Sequence, residues 1–351
     1  MRQRRVTMQD VADAAHVSKT AVSFAFNDSS RLSETTLRHI LAAAEELGYA
    51  QDPAARMLRT RRTSSLGLLL PQQLDLVLTN PYYTQFLQGV GQTCHQEGYT
   101  LLLAPPLRGS MLKAIPYAAV DGFIVSGLET DRGEVSALRQ RKIPFVLVDS
   151  EPVEGVSSIE IDDAEAVQSL VEHLLDLGHR RIGVLAIDTG VDVEWRQWHG
   201  PVKRRLLGVE AALATRGLSL DDPQVQVRQV PCTRGGGELG FEQLWADGGK
   251  RPTAIVCFSD IIAMGALAAA ERAGVQVPQD LSVTGFDDLA EAENTRPGLT
   301  TVRQPIETKG RLAADYLVEA ITADQQTPAA RQMRLHTVLL LRGSTAPPPA
   351  H

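Results

Sequence analysis

The sequence predicts a small all-α unit followed by a larger α/β core of parallel sheets, on three observations. Within the first fifty residues, three short helical stretches are each opened by a Thr or Ser in capping position. From Leu66 onward, short aliphatic runs alternate with amphipathic segments. The two parts also carry opposite charge: residues 1–65 hold ten Lys/Arg against seven Asp/Glu, and the remainder holds 25 against 35. A basic head on an acidic body places any contact with a polyanion in the first part. With 351 residues, 43% hydrophobic and 22% charged, the chain is long enough for two or three packed domains, which excludes disorder along its whole length.

In the head, Thr7 caps a helix with apolar positions Val11, Ala14 and Ala15, and His16-Val17 form the break. Ser18 caps a second helix from Lys19 to about Asn27, with Val22, Ala25 and Phe26 inward. Ser33 caps a third, whose Leu37, Ile40, Leu41, Ala44 and Leu47 follow a 3–4 spacing, and Gly48 ends it. A tight turn between the first two helices makes this a helix-turn-helix bundle, whose second helix fits a major groove. A plain three-helix bundle has the same helix lengths. The exposed Lys19, Thr20, Ser23 and Asn27, all able to meet bases or phosphates, favour the nucleic-acid reading.

Asp52-Pro53 then starts a further helix of seven or eight residues through Arg59. Such a length is below what holds alone in water, so it is expected to fold only against a partner. Arginines around Met57-Leu58 suit a minor groove, with the leucine wedging a base step. A basic interdomain linker is the bland alternative.

In the body, strands are expected at Leu66–Leu70, Thr100–Ala104, Gly122–Val125 and Pro144–Val148, and again at Arg181–Ala186, Gln224–Val230, Ala254–Phe258 and Leu281–Gly285. Helices are expected between them, near 83–96, 110–118, 133–140, 164–177, 202–216, 238–245 and 261–273. Repeated βα units give two parallel sheets covered on both faces, with the ligand cleft at the carboxyl ends of the strands, between the two.

Several classes fall away. The basic start leads into Val6-Thr7-Met8 with no apolar leader, and no aliphatic run is long enough to span a bilayer, so a cytoplasmic protein without membrane contact is expected. Cys94, Cys232 and Cys257 are an odd, dispersed set, which argues against a disulfide framework or a Cys-rich metal site. Gly235–Gly240 superficially fits G-x-G-x-x-G but follows Pro231 and Arg234 rather than leaving a strand directly. The paired acids Asp162-Asp163, Asp221-Asp222 and Asp287-Asp288 are adjacent, which points them to opposite faces or into turns. No catalytic set emerges, and neither a metal nor a cofactor is implied.

The head and body together resemble one family. Val6-Thr7-Met8-Gln9-Asp10-Val11-Ala12, Val17-Ser18-Lys19-Thr20-Ala21-Val22-Ser23, Asn27 and Leu47-Gly48-Tyr49 are similar to the headpiece of the LacI/GalR family of bacterial transcriptional regulators. Asn80-Pro81-Tyr82-Tyr83, Val120-Asp121-Gly122-Phe123-Ile124, Gly178-His179-Arg180-Arg181-Ile182, Arg205-Leu206-Leu207-Gly208 and Ser282–Asp288 resemble landmarks of its core. The resemblance implies an all-α helix-turn-helix headpiece plus an α/β periplasmic-binding-protein-like core of two parallel-sheet subdomains. Residues 1–51 would be the headpiece and 52–63 the hinge helix and linker. Residues 64–345 would be the ligand-binding and dimerisation core, with subdomain one about 64–162 and 290–325, and subdomain two about 163–289 and 326–341.

It further implies a ligand-responsive repressor that binds a pseudo-palindromic double-stranded DNA operator as a homodimer. The DNA-contacting set would be Thr7, Ser18, Lys19, Thr20, Ser23, Phe24, Asn27, Arg56 and Leu58. A small-molecule effector, a sugar or related metabolite, would meet Tyr82, Tyr83, Arg205, Asp260 and Asp287. Two departures stand out. Phe24 replaces a frequent arginine and can offer only packing to a thymine methyl or a sugar, and Ala21 replaces a threonine. Gly235–Gly237 replaces an aromatic that stacks on the ligand, leaving Trp195 or Trp198 as substitutes. No heptad run follows Leu341, which favours a dimer over a tetramer. The alternative in another class is a soluble intracellular sugar-binding module without DNA readout.

Overall fold

The computed structural model describes residues 6–50, 57, 62–128, 133–188, 194–246, 251–323 and 329–349. The chain divides into two compact units, Met1–Thr63 and Ser64–His351. Of the expected hinge helix only Met57 is among the described residues; Arg56 and Leu58 lie outside them.

In the first unit, α1 (Met8–Ala14), α2 (Lys19–Asn27) and α3 (Glu34–Glu46) follow in order, with a 3₁₀ turn at Ser29–Arg31 between the last two. Each α-helix starts on the expected cap. Thr7 forms a full capping box with Asp10, Ser18 accepts from the Ala21 N–H at 3.1 Å, and Ser33 accepts from the Thr36 N–H at 3.2 Å. The core is small and alanine-rich: Val11, Ala12, Ala15, Val22, Ala25, Ile40, Ala43 and Ala44. That corrects three expected inward positions. Ala14 is exposed and Ala12 takes its place. Leu41 and Leu47 are exposed at 42% and 38%, because so small a bundle buries only a narrow arc of α3, centred on Ile40, Ala43 and Ala44. Gly48, at φ 63°, turns the chain out of α3 as expected.

The second unit holds two parallel sheets. The first has six strands in the order β11-β5-β4-β3-β1-β2, namely Gln332–Leu335, Ser158–Ile161, Phe145–Val148, Gly122–Ser126, Ser65–Leu69 and Thr100–Ala104. The second has four, in the order β7-β6-β8-β9: Val225–Val230, Ile182–Ile187, Ala254–Cys257 and Ser282–Thr284. Every pairing within both sheets is parallel. Each sheet is buried on both faces by apolar clusters, which explains the aliphatic runs of its strands.

Around the first sheet run α4 (Leu74–Thr79), α5 (Pro81–Glu97), α6 (Met111–Ala114) and α7 (Glu134–Gln140). The second carries α8 (Asp163–Asp176), α9 (Gly200–Ala214), α10 (Arg234–Trp245) and α11 (Asp260–Arg272). Strand β10 (Thr301–Arg303) pairs antiparallel with β12 (Val338–Leu340), and α12 (Ile306–Thr322) returns to the first sheet. There it packs on α5 across a glycine pair. A Cβ at Gly89 would run into the Glu307 carbonyl, and one at Gly310 into that of Phe86.

The crossing points differ from the expected boundaries. Leu289 packs with the first-lobe core, but Leu299 and Val302 belong to that of the second lobe, so the chain returns to the first sheet only at α12 rather than from residue 290 onward. Residues 332–335, expected in subdomain two, pair in register with Ser158–Ile161 at the edge of the first sheet. Their charged, alternating Gln-Met-Arg-Leu pattern fits a half-exposed edge strand. The last described segment fastens to the second lobe: the Ala346 N–H donates to Ser282 Oγ and Ser344 Oγ donates to the Val283 carbonyl. Buried His179 sits beneath it, with Nδ1 at 2.9 Å from Thr253 Oγ1 and Nε2 at 2.9 Å from the Ala346 carbonyl.

The Gly235–Gly240 run lies inside α10, where Gly237 lets that helix meet α11 at the Ile262 carbonyl, Gly236 admits the Pro231 carbonyl and Gly240 sits against the Leu185 and Val230 side chains of the sheet. Among the described residues, no helix is long and apolar enough to cross a membrane.

Candidate functional site

In the helical unit, α2 buries Val22 and Ala25 and turns its other side outward. Thr20, Phe24 and Asn27, at i, i+4 and i+7, form one stripe, flanked by Lys19 and Ser23. Lys19, Thr20 and Asn27 are exposed, while Ser23 and Phe24 are half-buried. The Thr7 and Ser18 hydroxyls are engaged as helix caps at the rim of this face, and Asn27 Nδ2 donates to the Ser23 carbonyl at 2.5 Å. Phe24 is not bare. The Arg31 guanidinium lies over its ring, 5.1 Å from the centroid. A short helix with small polar and cationic side chains along one exposed side has the width and chemistry to enter a major groove.

In the second unit, a cavity of about 630 Å³ opens between the two lobes at the carboxyl ends of their strands. The first lobe contributes Asn80, Tyr82, Tyr83, Ser126 and Asp149. The second contributes Trp198, Arg205, Cys232, Ser259 and Asp287. Asn80 caps α5 by accepting from the Tyr82 N–H at 3.0 Å, and Pro81 occupies the first helical position, so both tyrosines are set on the opening turn. Across the cleft, Asn80 Nδ2 reaches Cys232 Sγ at 3.6 Å.

The floor of the first lobe is a charge relay that sequence reasoning missed. Tyr82 OH donates to Asp149 Oδ2 at 2.7 Å, and Lys309 Nζ donates to both Asp149 oxygens at 2.7 Å. Lys309 is fully buried and also donates to Gln304 Oε1, whose amide donates in turn to Asp287 Oδ1, each at 2.5 Å. Burial alone raises the Asp149 carboxyl. The Lys309 ammonium and its hydrogen bonds, with that of Tyr82, more than offset burial and hold it below the usual carboxylate range. Tyr82 is correspondingly pushed up, by burial first and then by the Asp149 charge. Asp149 was legible in one respect: it follows the carboxyl end of a buried parallel strand.

In the second lobe, Arg205 lies near the start of α9 and is almost wholly buried. Its Nε donates to Asp163 Oδ1 at 2.9 Å, its Nη1 to the Phe258 carbonyl at 2.5 Å, and its plane lies over the Phe286 ring at 3.8 Å. Asp287, at φ 134°, accepts from Ser259 Oγ at 2.7 Å as well as from Gln304. Burial raises its carboxyl, although the Arg205 charge works the other way. A backbone held in that conformation at a cleft is the strain expected of a binding position.

Of the expected ligand set, Tyr82, Tyr83, Arg205 and Asp287 converge on the cavity and Asp260 does not. Asp260 is sealed behind the cleft, accepting from Thr301 Oγ1 at 2.6 Å and the Leu289 N–H at 2.8 Å. Its place at the first turn of α11 aims its carboxylate at the crossing strand. The tryptophans separate in the same way. Trp198 stands in the cavity wall, while Trp195 is covered by Arg196 and Lys203 at 4.4 and 4.8 Å.

A helix-turn-helix unit joined to a two-lobed core, whose cleft is lined by polar, charged and aromatic side chains, defines a regulator that reads DNA and answers to a small molecule. Comparison with known proteins gives the lineage. Residues 7–52 match the model of bacterial regulatory proteins of the lacI family, and residues 171–345 match a periplasmic binding protein-like domain. An HTH-type transcriptional regulator of Mycobacterium tuberculosis is 34% identical over 99% of this chain and 98% of its own length. The ribose operon repressor of Escherichia coli K12 is 32% identical, with 96% and 99% covered. Among solved structures, the regulator CelR in complex with cellobiose aligns with TM-score 0.70 and 28% identity, over 97% of this chain and 100% of that one. The lac repressor dimer bound to operator and the anti-inducer ONPF aligns with TM-score 0.81 over 98% and 100%, at 24% identity, a likeness of fold. The chain belongs to the lacI family of bacterial transcriptional regulators.

Proposed function

We propose that this chain represses transcription as a homodimer on a pseudo-palindromic operator in the cytoplasm, and that a sugar or related polyhydroxyl metabolite in the cleft gates it. No chemical step is involved; the protein works by binding alone. The observation that carries the effector reading is the convergence of two carboxylates, Asp149 and Asp287, with the Arg205 fork and the Trp198 and Tyr82 rings, from opposite lobes of one cavity. Carboxylates accept from sugar hydroxyls, a guanidinium donates to them, and aromatic faces cover the apolar side of the ring. The names of the ribose repressor and of the CelR–cellobiose complex support the same class.

A single headpiece reads too few base pairs to find one genomic site, so two-fold symmetry supports the dimer. Because the ligand touches both lobes, its binding changes their relative angle. A coupling of about 1–3 kcal/mol would alter operator affinity roughly 5–150-fold. In this reading Lys19 and Thr20 contact base edges and Leu58 wedges the minor groove.

The test is selection of bound duplexes from a random DNA pool by the purified protein, followed by operator titration with and without D-ribose, cellobiose and a wider sugar panel. Enrichment of an inverted repeat whose affinity changes with one sugar, and loses that change in Arg205→Ala, is the expected result. Enrichment without symmetry overturns the dimeric operator. An effector response that survives in Arg205→Ala removes the cleft as its seat.

A further inference from the structure

Phe24 occupies the middle of the exposed stripe of α2, where an aromatic ring offers a base edge no hydrogen bond. The structure gives that ring another occupation. Arg31, on the 3₁₀ turn that follows α2, lays its guanidinium over the Phe24 face, 5.1 Å from the centroid. Its Nε donates to Asp28 Oδ2 at 2.7 Å, and the other Asp28 oxygen accepts from Ser30 Oγ at 2.6 Å. The plane is therefore set by the ring and its rotation by the carboxylate. Both terminal nitrogens carry no other hydrogen bond among the described residues, although the side chain is 62% exposed.

An exposed ion pair three residues apart contributes little to stability, so this arrangement mainly orients the fork. A guanidinium ordered in advance loses less freedom when it meets an anion, and its free edge matches two phosphate oxygens. Position favours phosphate over base. The amino-terminal residues of such a helix reach base edges, whereas Arg31 lies beyond the carboxyl end, where the helix leaves the groove.

We infer that Arg31 is a phosphate-contacting residue of the DNA-reading face and that Phe24 is its platform, a positioning residue that reads no base. The inference rests on the DNA-binding reading of this unit.

The test titrates the full-length protein against a labelled, unselected duplex of about 30 base pairs at several salt concentrations, reading the slope of log affinity on log salt. Arg31→Ala is expected to flatten the slope by about 0.9 for each headpiece engaged. Phe24→Ala should flatten it similarly, and Phe24→Tyr, which keeps a π-face, should retain the parent slope. Thermal melts of each variant confirm a folded headpiece, and if Phe24→Ala does not fold, the Arg31→Ala and Phe24→Tyr results decide. An unchanged slope in Arg31→Ala overturns the phosphate contact. An unchanged slope in folded Phe24→Ala, or a flattened one in Phe24→Tyr, overturns the platform. In selections from random DNA, Phe24→Ala should relax no single base position; relaxation at one would make Phe24 a base reader. A parent protein with no salt-dependent DNA affinity fails differently, removing the DNA reading itself.

Discussion

The helical unit and the effector cleft solve opposite problems. The helical unit holds itself together by local means: caps three residues away and a core of eight small and medium apolar residues. Its charged side chains remain in water. The cleft draws charge into the interior and balances it over long stretches of chain: Lys309 on Asp149, Arg205 on Asp163, Gln304 on Asp287. The contrast follows from the ligands expected of each. A polyanion is met by cations on an exposed surface, whereas a small polyhydroxyl molecule needs preset acceptors in a dry wall.

The contrast predicts where damage is greatest. Lys309→Met leaves the Asp149 carboxylate buried without its cation, which costs about 3–5 kcal/mol when one partner of such a pair is removed. Denaturant unfolding of the core is the measurement. A loss below about 1 kcal/mol would mean that Asp149 takes up a proton or water at little cost. The counterpart in the helical unit is Ile40→Ala, which removes the largest fully buried side chain of that core. It is expected to cost about 2–3 kcal/mol, less than Lys309→Met, because a small bundle can partly collapse around the gap. Its unfolding should leave the core transition where it was.

The same division governs what could be read from sequence. Helix caps at Thr7, Ser18 and Ser33, the αL glycine at 48 and the aliphatic strands announce themselves within a few residues, and the structure places them as expected. Short or half-exposed elements such as β10 and β11 carry too few apolar residues to register, and β12, apolar throughout, is only three residues long. Helix α12 has an apolar stripe through Ile306, Ala313 and Leu317, but Lys309 interrupts it, and a lysine on a buried face reads as solvent side until its partner is known. That partner is 160 residues away. Likewise resemblance points Arg205 and Asp287 to the cleft, while nothing local marks Asp149 beyond its place after a strand, and its role is set by tertiary pairing. Asp260 departs from the expected site because a residue at a helix start shows its position in sequence but not the direction of its carboxylate.

Acid titration sharpens the comparison at a smaller scale. Burial lowers the pKa of His179, so it stays neutral in the fold. Its contribution is present above the ordinary histidine value of about 6.5 and is lost as the pH falls below it. Asp260, pushed up to about 7 by burial and then by the Asp287 charge, has the opposite sign: its stability is present at low pH and is lost as the pH rises toward 7. The two oppose each other between about pH 4 and 6.5, each with a slope of at most about 1.4 kcal/mol per pH unit. In His179→Asn the core should therefore gain stability as the pH falls through that range, and in Asp260→Asn it should lose it. Identical pH profiles in the two variants would mean that neither group governs the core.

The smallest expected effect separates the units most directly. Ser33→Ala removes the cap on the Thr36 N–H, and Asp162→Ala removes the equivalent cap on the Glu165 N–H in the core. Each is expected to cost about 1 kcal/mol, since the lost bond is the same kind. The melting shifts should nevertheless differ, because unfolding entropy scales with the number of residues that unfold together. For domains of 60–100 residues, 1 kcal/mol moves the midpoint by roughly 4–8 °C; the core, several times larger, should move by only about 2 °C. The helical unit, smaller still, should shift at least as far as the small domains. Differential scanning calorimetry of the two variants reads both numbers at once. Equal shifts would mean that the units unfold as one body, so that a cap in the DNA-reading helices stabilises the effector cleft as much as one of its own.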